Sequence, residues 1–376
     1  MIRSRMPIQT AVLLAAMLAS FSLFPPMLPA RNEPKPPADP TILQLEKDAP
    51  ELMKKDRVPG LEIAVIRNGK TTWLHAFGVK DAKTNQPVTN ETTFEAASLS
   101  KPVFAYAVLK LVDQGKLGLD VPLTTYLPKP YIADDDRLAK ITARLILSHR
   151  SGLPNWRFGD DGLLHIYFTP GDRFSYSGEG YIYLQRVVEQ ITGKPLNDYM
   201  TEAVFTPLGM TSSSYVWRPE FDALTATGHD ENETPEKKWK PDEAGVASTL
   251  NTTARDYALF VEAILNGKDL KPATLREMET PQVALDPACR ICINQEPKTL
   301  STTLFWGVGW GIQRKDGRED LWHWGDNGSF KAFVMAEPKT KSAVVIFANS
   351  TNGLDLAHPL VDEAMATDSL AFAWLK

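Results

Sequence analysis

The hydrophobic and polar positions along the chain change period several times, and each change marks an element. Residues 43–55 carry apolar side chains at helical spacing. Two alternating runs follow, at 60–67 and 70–78, joined by Asn68-Gly69, which predicts a β-hairpin. Residues 85–95 read as turn and loop. From Pro102 to Asp113 the chain is apolar on nearly every face, which predicts a buried helix ending near Gly115 and Gly118. Short helices are expected at 141–147 and 181–191. Another spans 252–265, with Thr252 or Thr253 as N-cap and Gly267 just beyond its end. The C-terminal third returns to strands at 309–314, 321–324, 329–337 and 342–349, separated by Asp316-Gly317, Asp326-Asn327-Gly328 and residues 338–341. That is an antiparallel meander. Residues 356–370 close the chain as a helix, with Pro359 tolerated in its first turn.

Strands at both ends and helices between them predict an α+β fold. One antiparallel sheet is built from both chain ends, over about 43–120 and 250–376, and a mostly helical part covers about 121–249. Residues 281–303 form a long loop, a length usually tied to function.

The first 30 residues read as a signal peptide. Arg3 and Arg5 precede an apolar run at 11–24, too short for a comfortable membrane span, and Pro25, Pro26 and Pro29 end it. Cleavage near Ala30 and a proline-rich linker at 31–42 are expected. This implies a periplasmic or secreted protein with no stable membrane insertion after signal removal. The net charge is −5 with no basic block, which gives no support for nucleic-acid binding. Cys289 and Cys292 are the two cysteines. They sit among prolines, which reads as a loop staple or two free thiols rather than a redox or zinc motif.

Ser98-Leu99-Ser100-Lys101 is the one Ser-x-x-Lys of the chain. At the head of a helix, Ser98 meets the positive end of the dipole, and Lys101 lies one turn on. Burial lowers an amine's pKa, and a neutral lysine can take the serine proton. Tyr176-Ser177-Gly178 reads as a loop in which a tyrosine can relay protons, provided cations hold down its pKa. His323-Trp324-Gly325 ends a strand; a glycine on an edge strand lets a substrate lie alongside, and the N–H of Asp326 can serve an oxyanion. His75, His149, His165, His229 and His358 read as structural or surface residues.

These three segments, in this order, resemble the serine β-lactamase-like hydrolases of the class C type. That family includes class C β-lactamases, D-alanyl-D-alanine carboxypeptidases, D-aminopeptidases and esterases. The stretches 147–154, 170–177, 226–230 and 307–311 support the likeness, which spans roughly residues 43–350. The resemblance implies a β-lactamase/transpeptidase-like fold and an acyl-enzyme at Ser98. Lys101 and Tyr176 would share the acid–base work, and the N–H groups of Ser98 and Asp326 would form the oxyanion hole. His323 would line the site. No metal or organic cofactor is expected.

Gly178 stands where the family carries an asparagine that hydrogen-bonds a substrate amide. His323 stands where true class C β-lactamases carry a lysine. Both departures favour a small ester or a peptide containing a D-amino acid over a β-lactam. A class C-like β-lactamase is the alternative. A non-catalytic protein that binds penicillin or cell-wall peptide is the alternative of another class. A Ser-His-Asp α/β-hydrolase is disfavoured, since the chain has no Gly-x-Ser-x-Gly.

Overall fold

The computed structural model describes residues 39–157 and 163–376. The expected signal peptide and residues 31–38 of the expected linker lie outside the described residues, and residues 40–42 of that linker belong to the first helix. Helix α1 (Pro40–Asp56) leads into strands β1 (Gly60–Arg67) and β2 (Lys70–Asp81). The short strands β3 (Gln86–Pro87) and β4 (Phe94–Glu95) follow, where turn and loop were expected. A 3₁₀ turn over Ala97–Leu99 then runs into helix α2 (Ser100–Asp113). Helices α3 (Ala143–Leu147) and α4 (Gly178–Thr192) occupy the middle of the chain. Strand β5 (Asn251–Thr252) pairs with β4 and precedes helix α5 (Ala254–Leu265). Thr253 caps α5 by accepting the Asp256 N–H at 3.0 Å.

The C-terminal strands are β6 (Val283–Ala284), β7 (Leu304–Trp306), β8 (Gly311–Lys315), β9 (Arg318–Asp326), β10 (Lys331–Glu337) and β11 (Ser342–Ala348). Helices α6 (Gly353–Met365) and α7 (Leu370–Leu375) end the chain. Pro359 therefore lies inside α6, not in its first turn. The helix begins earlier than its apolar spacing suggests, because Gly353 and Leu354 carry no periodic signal of their own.

The nine-stranded sheet has the order β3-β2-β1-β11-β10-β9-β8-β7-β6, with antiparallel neighbours. N-terminal β1 lies against C-terminal β11, so the two chain ends share one sheet. This is the β-lactamase/transpeptidase-like fold. Strand side chains alternate between faces, and here both faces are buried. Leu61, Ile63 and Val65 of β1, with Val344 and Ile346 of β11, pack on residues of α1 and α6. Ala64 and Ile66 of β1, with Ala343, Val345 and Phe347 of β11, join the core that contains α2 and α5. Helix α2 is buried along most of its length because it sits between that sheet face and the helical middle of the chain.

Two expectations about the sheet change in detail. Strand β9 is interior, flanked by β10 and β8. However, its pairing with β8 stops at Trp322, so residues 323–326 pair with β10 alone. The long 281–303 segment contains β6 and a Cys289–Cys292 disulfide with a Cα–Cα distance of 5.7 Å.

Candidate active site

The 3₁₀ turn that carries Ser98 abuts the end of β9. A Cβ on Gly325 would stand 2.4 Å from the Ala96 carbonyl oxygen, so glycine is what lets the strand reach this turn. Ser98 lies just before α2 rather than in it. Ala97, immediately before it, holds φ +49°, a left-handed conformation costly for a residue with a side chain. That turn leaves Ser98 partly exposed while its neighbours Ala97 and Leu99 are buried.

Lys101 is fully buried. Its Nζ lies 3.0 Å from Ser98 Oγ and donates to the Ala247 carbonyl at 2.7 Å. No carboxylate compensates it among the described residues, so burial lowers its pKa to about 7. At neutral pH a large fraction of Lys101 is a free amine with a lone pair available to the Ser98 hydroxyl.

Tyr176 reaches the same point from the segment before α4. Its ring centroid is 4.9 Å from Lys101 Nζ. Its hydroxyl is buried and completes no hydrogen bond among the described residues. Burial raises its pKa, and the opposing pulls of Ser98 and the Arg290 charge do not offset that rise. Cations therefore do not hold this phenol below its ordinary range, contrary to the sequence expectation. Tyr176 keeps its proton and stands ready as an acid.

His149 supports Tyr176 from beneath, with ring centroids 4.2 Å apart. It is fully buried at φ +55°, and its Nδ1 accepts the Ser177 N–H at 3.0 Å. Burial drives its pKa far down, with Lys101 and His323 adding to the effect. The sequence reading of His149 as structural fits this packing.

His323 does not line the site. It is fully buried, stacked against Trp324 at 5.2 Å, and its Nδ1 lies 2.8 Å from the Trp324 carbonyl. That acceptor fixes the hydrogen on Nδ1. Burial first, and Lys101 second, hold its pKa down to about 3. His323 is a neutral group under the site, not a cation in it. Packing against the rings of Trp306 and Trp324 takes residue 323 out of the cavity, and Trp324 lines it instead.

The cavity over Ser98 has a volume of about 190 Å³. Tyr176, Trp324 and Asp326 line it, as expected from sequence, and so do Asn155, Trp156, Arg290 and Ile291, which sequence reasoning missed. A larger cavity of about 600 Å³, lined by Glu95, Trp239, Ser248 and Asn327, shares Trp156 with it.

Gly178 is the first residue of α4 rather than part of a loop, with Ser177 as N-cap. Asn155 accounts for its identity. The Gly178 N–H donates to Asn155 Oδ1 at 3.0 Å, and the Glu179 N–H donates to the Asn155 carbonyl at 3.0 Å. A Cβ at 178 would stand 2.6 Å from that carbonyl oxygen. Asn155 thus brings a carboxamide to the cavity beside the position where the family's asparagine would start. Its Nδ2 donates no hydrogen bond among the described residues. The signal was present in the stretch 147–154, which ends one residue before Asn155.

Comparison with known proteins agrees with this architecture. Penicillin-binding protein 4 of Amycolatopsis lactamdurans is 29% identical over 326 residues, covering 80% of this chain and 83% of its own. Esterase EstB of Burkholderia gladioli is 30% identical over 195 residues, covering 44% of this chain and 49% of its own. The structure of D-alanine carboxypeptidase AmpC from Burkholderia cenocepacia superposes with a TM-score of 0.72 at 19% identity, covering 88% of this chain and 99% of its own. The family model described as Beta-lactamase matches residues 45–365, and the chain belongs to that family of serine hydrolases and their relatives.

Proposed function

We propose that this protein is an exported serine hydrolase that cleaves a small ester or amide through an acyl-enzyme at Ser98. One observation carries the reading: a buried lysine amine, pKa about 7, with Nζ 3.0 Å from the Ser98 hydroxyl. Lys101 takes the Ser98 proton as Oγ attacks the carbonyl carbon. The N–H groups of Ser98 and Asp326 receive the developing oxyanion. Tyr176 donates its proton to the departing oxygen or nitrogen, and the proton on Lys101 restores the phenol. A water molecule then attacks the ester carbonyl and gives up a proton to the same pair, which returns it to Ser98 Oγ as the acid departs.

The neutral His323 removes the cation that class C β-lactamases place at this motif, which supports esters and amides over β-lactams. The Asn155 carboxamide supports keeping amides in that range.

The test is turnover of p-nitrophenyl butyrate and mass spectrometry after a slow acylating agent. Ser98→Ala is expected to abolish turnover, and the wild-type adduct is expected on Ser98. Full activity in Ser98→Ala, or an adduct on another residue, would overturn the proposal. A penicillin adduct on Ser98 without turnover of any ester or amide would favour a binding protein.

A further inference from the structure

Two charged side chains line the cavity over Ser98: Arg290 and Asp326. Asp326 is paired with Lys331, whose side chain is largely buried. Arg290 makes no ion pair among the described residues, and the residue is exposed. Among the described residues, the cavity therefore presents one positive charge that no carboxylate pairs with. It does not come from β9, where His323 is neutral and buried.

The loop that presents Arg290 is fastened from several sides. Cys289 and Cys292 close a disulfide around Arg290 and Ile291, and both cysteines are buried. The Arg290 carbonyl accepts the Tyr176 N–H at 2.8 Å. The Cys292 N–H donates to Ser175 Oγ at 2.9 Å. The Arg173 guanidinium, itself buried, holds the Cys292 carbonyl at 2.9 Å. A four-residue loop closed by a disulfide and tied to the backbone of Tyr176 fixes where its exposed side chains start. An arginine placed in this way loses less freedom when it meets an anion.

We infer that Arg290 is a specificity-determining residue that selects substrates carrying an anionic group on the leaving-group side of the scissile bond. The side follows from Tyr176. Its proton goes to the leaving group, and Arg290 is anchored to the Tyr176 backbone and lies near enough for its charge to act on the phenol. A carboxylate suits a guanidinium because both are planar and pair through two hydrogen bonds. The Cys289–Cys292 disulfide is the brace that keeps Arg290 at the cavity wall. This inference deepens the acyl-enzyme reading and rests on it.

The test uses three esters that differ in leaving-group charge: 3-butyryloxybenzoate, 3-butyryloxybenzamide and (3-butyryloxyphenyl)trimethylammonium. The wild type is expected to favour the benzoate over the ammonium ester by at least about tenfold in kcat/KM at low salt. That preference shrinks as salt screens it. In Arg290→Gln the benzoate-to-benzamide ratio is expected to fall about fivefold or more, and Arg290→Lys restores part of it. The Cys289→Ser/Cys292→Ser double variant keeps the charge but loses the brace, so its ratio is expected to fall as well. A ratio unchanged in Arg290→Gln, or a wild type indifferent to charge while it turns over all three esters, would sink this inference alone. No turnover of any ester together with an unlabelled Ser98 would sink the acyl-enzyme reading, and this inference with it.

Discussion

Asn155 and Gly178 form one unit: the glycine N–H donates to Asn155 Oδ1, and the asparagine carbonyl fills the space a side chain at 178 would need. The first residue of α4 is kept bare so that another segment can place its amide at the cavity. The pair also caps α4, because Asn155 takes the N–H groups of both Gly178 and Glu179.

Removing the amide tests this arrangement. Asn155→Ala is expected to lower kcat/KM on an amide such as D-alanine p-nitroanilide by about tenfold, the worth of a hydrogen bond made in the transition state. The loss on p-nitrophenyl acetate is expected to be smaller. Gly178→Asn, which writes the family's motif into this chain, is expected to cost about 1–3 kcal/mol through overpacking against the Asn155 carbonyl. Urea unfolding and steady-state kinetics read the two effects. A stable, more active Gly178→Asn variant would mean that Asn155 does not occupy that place.

The pH profile separates the three titratable groups. Lys101 must be a free amine to accept a proton, so kcat/KM on a neutral ester is expected to fall as pH drops through about 7. His323, held to about 3, adds no limb between pH 4 and 9. Tyr176 is pushed up by burial, so no alkaline decline from loss of its proton is expected below pH 10. A single acid limb near 7 that is unmoved in His323→Gln meets the expectation. A limb that follows His323 would reassign the base.

Much of this site was legible in the sequence because its signals are local. Ser98 and Lys101 are one helical turn apart, and the apolar run from Val103 to Leu109 announces the burial that tunes the amine. The Asn68-Gly69 hairpin and the C-terminal meander specify a sheet from both ends, since alternation and turn residues are written into contiguous stretches. The groups missed depend on contacts between distant segments. Asn155 reaches Gly178 from 23 positions away, and Arg290 comes to Tyr176 from more than a hundred. His323 was misplaced for a related reason. Period-two alternation says that 323 and 324 face opposite ways, but not which way faces the cavity. The aromatic cluster of Trp306, Trp322 and Trp324 decides that, and it forms only in the fold.

Lys101 also has a cost for stability, and its sign can be worked out. A lysine in the unfolded chain titrates near about 10.4, whereas buried Lys101 titrates at about 7. Between these values the unfolded state binds the extra proton, so the wild type gains stability as pH rises through the window and loses it as pH falls toward 7. Below 7 the folded protein carries a buried ammonium, with the Ala247 carbonyl and Ser98 as its hydrogen-bond partners among the described residues. Lys101→Met removes that burden with a side chain of similar length, while leaving the Ala247 carbonyl short of a donor, which costs about 1–3 kcal/mol at every pH. The absolute change therefore mixes two opposing effects, but the pH dependence isolates one of them. The stability of Lys101→Met relative to wild type is expected to be greater at pH 6 than at pH 10 by about 2–4 kcal/mol, measured by urea unfolding at both values. The same variant is expected to show no ester turnover. A stability difference that does not change with pH would mean that Lys101 stays charged in the folded protein, and the base at this site would have to be sought elsewhere.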